Sequence, residues 1–177
     1  MPEEFELSPA DIVTIGTIGP PGQRVFHLQA KQGDTLLTVI IEKVQAAAIS
    51  ESIVKVLEEI QKEYELETPE PDLSAMDLDL QEPILPLFRV GQIGLGYDHE
   101  NDLLMLIVSE LLPDEEGGDP RLARIGATRS QMRALAAHAG EVVAAGRPIC
   151  GNCGQPIDPE GHFCPRSNGH RKPVSWA

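Results

Sequence analysis

Apolar residues along the chain follow two successive patterns, and the pair of patterns occurs twice. Ile12–Ile18 (Ile-Val-Thr-Ile-Gly-Thr-Ile) is rich in β-branched residues and stops at the turn Gly19-Pro20-Pro21-Gly22, which predicts a strand. Arg24–Ala30 predicts a second strand, Gln32-Gly33-Asp34 a turn, and Leu36–Ile41 a third strand. Links this short favour antiparallel neighbours. From about Val44 the period lengthens. Ile49, Ile53, Val56, Leu57, Ile60 and Tyr64 recur at helical spacing, opposite a face bearing Glu51, Lys55, Glu58, Glu59 and Lys62. Further on, Phe88–Tyr97, Leu103–Leu111 and Leu122–Ala127 again read as strands. Thr128-Arg129-Ser130-Gln131 then has the form of a capping box, opening a helix with the stripe Met132, Leu135, Ala139, Val142 and Val143, and Gly146-Arg147-Pro148 ends it.

The chain therefore reads as strand-strand-strand-helix twice, over residues of about 9–65 and 87–147. Short echoes accompany the repeat: Val13–Gly19 against Val90–Gly96, and Lys43-Val44-Gln45 against Arg129-Ser130-Gln131. An apolar sheet face and an apolar helix stripe in each half predict an α+β core within residues 1–147, its strands forming an antiparallel sheet or partial barrel. Residues 66–86 join the halves with four prolines, six acids and no Lys or Arg. That composition predicts an extended solvated linker. The alternative is an acidic docking segment anchored by Leu73, Met76, Leu78, Leu80, Ile84 and Leu85.

Residues 148–177 have a different character. All three cysteines of the chain lie here, as Cys150-Gly151-Asn152-Cys153 and Cys164. A Cys-x-x-Cys knuckle directs two thiolates at one tetrahedral Zn²⁺, and the turn around Asp158-Pro159-Glu160-Gly161 returns Cys164 to them. This is the layout of a zinc ribbon with one structural zinc per chain. Where a common ribbon has a fourth cysteine, near position 167, this chain has Ser167. His162 and His170 are the candidates for the fourth ligand: His162 shares a strand face with Cys164, and His170 follows the turn Asn168-Gly169.

Of the formal net charge of −14, residues from Pro148 onward contribute +1 (Asp158 and Glu160 against Arg166, Arg171 and Lys172), leaving −15 on the rest. A body so acidic repels a phosphate backbone and disfavours nucleic acid as partner. At 177 residues and 41% hydrophobic content the core need not depend on metal. No apolar run reaches the length of a membrane span, the first residues lack the pattern of a secretory signal, and an odd number of cysteines at metal spacing points to a reducing compartment. The expectation is a cytoplasmic protein.

Other motifs carry less. Gly91-Gln92-Ile93-Gly94-Leu95-Gly96 has phosphate-loop spacing but lies within an alternating strand, not at a helix start. Asp98, Glu100 and Asp102 read as a solvated turn, His27 as structural and His138 as a surface or boundary residue. Lys43, Gln45, Arg129 and Gln131 occupy matching positions where strand gives way to helix, and helix starts favour anions. The leading functional expectation is a non-enzymatic zinc-binding interaction or adaptor protein with a protein partner. The alternative is an enzyme or small-ligand protein with a pocket between the repeats formed by those four residues, a phosphate-containing ligand being one option.

Phe26-His27-Leu28-Gln29-Ala30, Glu42-Lys43-Val44-Gln45, Phe88-Arg89-Val90-Gly91 with Leu95-Gly96-Tyr97-Asp98, and the tail from Ala144 through Gly161-His162-Phe163-Cys164-Pro165 together carry a resemblance. They resemble the uncharacterised bacterial family known as domain of unknown function 3090, over nearly the whole chain. In that family Gly-His-x-Cys-Pro recurs, and the position of His170 often holds an aromatic residue. The resemblance thus implies His162 as the fourth ligand.

Overall fold

A computed structural model of the chain describes residues 3–20, 22–73, 76–115, 117–145 and 151. A first strand, β1 (Glu4–Leu7), precedes two similar units. The first is β2 (Ile12–Ile18), β3 (Val25–Gln32), β4 (Thr35–Ile41) and α1 (Lys43–Tyr64). The second is β5 (Val90–Asp98), β6 (Leu103–Glu110), β7 (Leu122–Ala127) and α2 (Arg129–Ala145). The protein is mixed α+β. Its strands form two sheets, β2-β3-β4 and β1-β7-β6-β5, rather than one continuous antiparallel sheet or a closed barrel.

The seams between the halves explain that departure. Within each unit the strands pair antiparallel, as short turns dictate. Between the units the pairing is parallel and reciprocal. β1, which leads into the first unit, runs parallel to β7 of the second, from Glu4 opposite Leu122 to Leu7 opposite Ile125. Residues 87–89, which lead into the second unit, run alongside β4 of the first: Leu87 N–H bonds Thr38 C=O at 2.9 Å, and Ile40 N–H bonds Phe88 C=O at 3.0 Å. Each half thus extends the last strand of the other.

One face of β2-β3-β4 is apolar (Val13, Ile15, Phe26, Leu28, Ala30, Leu37, Val39, Ile41) and enters the same buried cluster as Ile49, Ile53, Met132 and Leu135 from the helices. The other face carries a polar row, Thr14 opposite Gln29 opposite Thr38, all three buried. The cover is the acidic segment between the halves. Thr14 Oγ1 donates to Leu78 C=O at 2.5 Å. Gln29 pairs with Gln81 as a strand would, Nε2 donating to its C=O at 2.9 Å and the side-chain oxygen accepting its N–H at 2.7 Å. Leu80 lies against Gly16, where any Cβ would sit 2.6 Å from Leu80 Cγ. The solvated linker expected from composition is therefore corrected: residues 76–81 form a strap. Met76, Leu78 and Leu80 are half-buried and alternate with exposed Asp77 and Asp79. Period-two burial lets the acids face water while the apolar residues dock.

His27 lies on this covered face, 4% exposed, between Gly16 and Ile40 in register. Its Nδ1 lies 3.0 Å from Val25 C=O, as donor in the neutral ring. Burial, partly opposed by that hydrogen bond, lowers its pKa below the ordinary 6.5. The folded state therefore binds fewer protons there than the unfolded state. The resulting stability is fully present above pH 6.5 and lost as pH falls through the lower folded value. Urea midpoints followed from about pH 7.5 to 5 should fall less steeply in His27→Gln than in the parent chain. Equal slopes would show that His27 is not the titrating group.

Candidate functional site

The polar residues at the two helix starts have matching jobs. In α1 the Gln45 side-chain oxygen accepts the Glu42 N–H at 2.7 Å, and in α2 Gln131 accepts the Thr128 N–H at 2.8 Å. These are the reciprocal bonds of capping boxes. Each amide nitrogen then crosses to the opposite half: Gln45 Nε2 donates to Val90 C=O at 3.2 Å, and Gln131 Nε2 to Ala10 C=O at 3.0 Å. Both glutamines are therefore clamps between the halves, holding the segment that starts the other unit.

The four residues do not meet in one pocket. Ser50 Oγ of α1 donates to Ala136 C=O of α2 at 2.7 Å, and Val54 and Leu57 share a cavity with Arg133. As α1 advances, α2 recedes, so the helices are antiparallel. Lys43 and Gln45 fall at one end of the pair and Arg129 and Gln131 at the other, roughly 20 Å apart at 1.5 Å per helical residue.

At the Arg129 end the charges are closed on themselves. Arg129 Nε and its terminal nitrogen donate to the two Asp102 oxygens at 2.8 and 3.1 Å, and a third bond reaches Glu67 C=O at 2.9 Å. Those bonds hold the Asp102 carboxyl below its ordinary pKa. Tyr97 Oη also donates to Asp102, at 2.7 Å, and burial together with that carboxylate pushes the phenol up to about 12. Tyr64 stacks on His99 with ring centroids 4.4 Å apart, closing the aromatic side. Asp98 is bonded by Asn101 through both its backbone and side chain. Asp102, ionised and bonded, and Tyr97, protonated, are thus not poised as general bases here.

The Lys43 end is open. Lys43 lines a cavity of about 280 Å³ together with Arg24, Glu42 and Arg89, over a floor of Phe26 and Ile41. Arg89 bonds Glu42 at 2.6 Å, both side chains being about half exposed. Arg24 Nε is buried and has no hydrogen-bond partner among the described residues. A second cavity, about 740 Å³ beside α1, is lined by Glu58, Glu67 and Glu70, with Arg133 held to Glu70 at 2.6 Å. Of its acids, Glu70 is already paired with a cation.

Sequence reasoning passed over Arg24 and Arg89, as well as Thr14, Gln29 and Thr38. The last three leave a trace, a polar residue at the same depth in three adjacent apolar strands. Arg24 becomes visible only when the two helix starts are aligned and counted back to the middle strands.

Cys150, Cys153, Cys164, His162 and His170 lie outside the described residues. Among the described residues no group of His, Cys, Asp or Glu is placed to hold a metal, and no helix is long and apolar enough to cross a membrane. A family model described as protein of unknown function (DUF3090) matches residues 5–164. No curated protein and no solved structure matches the chain.

Proposed function

The chain belongs to the DUF3090 family, matched over residues 5–164, and from that premise we propose that it is a non-enzymatic interaction protein with a structural zinc in its tail. The carrying observation is the spacing Cys150-x-x-Cys153 and His162-x-Cys164, which follows α2 in the sequence. Three thiolates and an imidazole suit zinc in a closed tetrahedral shell, and three thiolates blunt it as a Lewis acid. The family match takes in Cys150, Cys153, His162 and Cys164 and stops short of His170, which favours His162 as fourth ligand. The core supports the same reading. Gln45 and Gln131 are committed to clamping the halves and Arg129 to Asp102, which leaves an acidic body and a metal-pinned tail as surfaces for a protein partner in a reducing compartment.

Cobalt substitution tests the metal and its role together. The Co²⁺-loaded chain should show a tetrahedral spectrum with intense thiolate charge transfer, unchanged by small anions. Cys153→Ser should abolish it. His162→Ala should open the site to water and shift the spectrum, while His170→Ala should leave it intact. An anion-sensitive spectrum in the parent chain would reveal an open coordination position and overturn the structural role.

A further inference from the structure

The second half of the chain carries an ion pair that the first half lacks at the equivalent place. In the first unit Phe26 pairs with Ile41, and in the second Leu104 pairs with Ala127. The next residue in each case caps the helix, and the one after is a cation, Lys43 or Arg129. Two positions before the paired residue on the middle strand stands Asp102 in the second half, where it neutralises Arg129. In the first half that position is Arg24. Acid against cation has become cation beside cation.

Arg24 and Lys43 line the same 280 Å³ cavity, and Arg89 adds a third positive charge there against the single Glu42. Gathering like charges costs free energy unless something of opposite sign is present, and a chain with 28 acids against 14 bases had partners to supply. Instead Arg24 Nε is buried and unbonded among the described residues. A buried donor left without an acceptor is costly.

We propose that this cavity binds the phosphate group of a small phosphorylated molecule. Arg24, Lys43 and Arg89 less Glu42 leave a charge of +2, which a phosphate monoester near pH 7 matches and a carboxylate half meets. Arg24 supplies the planar fork and Lys43 the point charge that phosphate oxygens accept from. The cavity is small for a nucleotide. Its Phe26 and Ile41 floor suits a compact apolar body on the phosphate. The site uses no residue of the tail, so the zinc reading can fail without it.

Calorimetric titration of the full chain with inorganic phosphate, phenyl phosphate and acetate, at low salt, tests the proposal. Both phosphates should bind saturably, phenyl phosphate more tightly, and acetate about tenfold or more weaker. Arg24→Asp installs the pairing already used in the second half and should lower phosphate affinity about tenfold or more, as should Lys43→Met. Arg133→Met removes the same charge elsewhere and should change nothing. If Arg24→Asp does not fold, Lys43→Met, at an exposed position, decides. Failure of the parent chain to bind at about 10 mM phosphate, acetate binding as tightly as phosphate, or full affinity in Lys43→Met would each overturn the assignment. The last would place phosphate elsewhere, for instance on the tail cations Arg166, Arg171 and Lys172.

Discussion

Urea unfolding of Leu135→Ala should give a stability about 3 kcal/mol below that of the parent chain. Leu135 is fully buried in α2, within the cluster that joins both helices to the apolar sheet faces. Truncation removes its transfer free energy and leaves a cavity, because antiparallel helices bridged at Ser50 and Ala136 have little freedom to close it. The chain packs two helices over sheets from both halves, so the loss should appear as one cooperative transition at lower urea. Val44→Ala is the contrast. Val44 is 75% exposed, and its replacement should stay within about 0.5 kcal/mol. A cost below about 1 kcal/mol for Leu135→Ala would mean that α2 does not seal the core.

Gln29→Leu should cost about 3 kcal/mol and release the strap. Gln29 is 2% exposed and holds three groups at once: the Thr38 hydroxyl at 3.1 Å, and the Gln81 C=O and N–H. Leucine of similar size fills the space but leaves those partners unpaired in a site that water reaches poorly. Removing one member of a buried set exposes the others to the full desolvation penalty, more than the net worth of each bond. Limited proteolysis should therefore cut residues 76–81 faster in Gln29→Leu, with the exposed Gln92→Leu in β5 as control. Unchanged cleavage together with unchanged stability would show that the strap is held without Gln29, by Thr14 on Leu78 and Leu80 on Gly16.

Much of the fold was legible because burial writes itself as period. β2 and β7 coincide with the predicted Ile12–Ile18 and Leu122–Ala127, and α1 starts within a residue of the change in spacing at Val44. β1 was not legible. Glu4-Phe5-Glu6-Leu7 is too short and too acidic to announce a strand, and its extended state comes from pairing with β7. The strap was masked by its own composition, since prolines and acids set the average while three apolar residues at every second position set the structure. At the site, Lys43, Gln45, Arg129 and Gln131 were recognisable as a polar set. Their division between opposite ends of a helix pair is tertiary geometry that no spacing within either helix encodes. Arg24 is a single cation at a strand start, and its meaning lies in the contrast with Asp102.

The parallel seam between β1 and β7 also constrains how the chain is born. Glu4–Leu7 leaves the ribosome before either helix, yet its partner Leu122–Ile125 is made only when the second sheet is nearly complete. Until then β1 has no ladder to join. The seam at residues 87–89 works the other way, because β4 is already waiting when they emerge. The first unit can therefore collect its strap and the start of the second during synthesis, whereas β1 must dock late, across a long loop in sequence. A nascent chain halted after α1 would carry an acidic, unpaired leader, and its final locking would coincide with the emergence of β7.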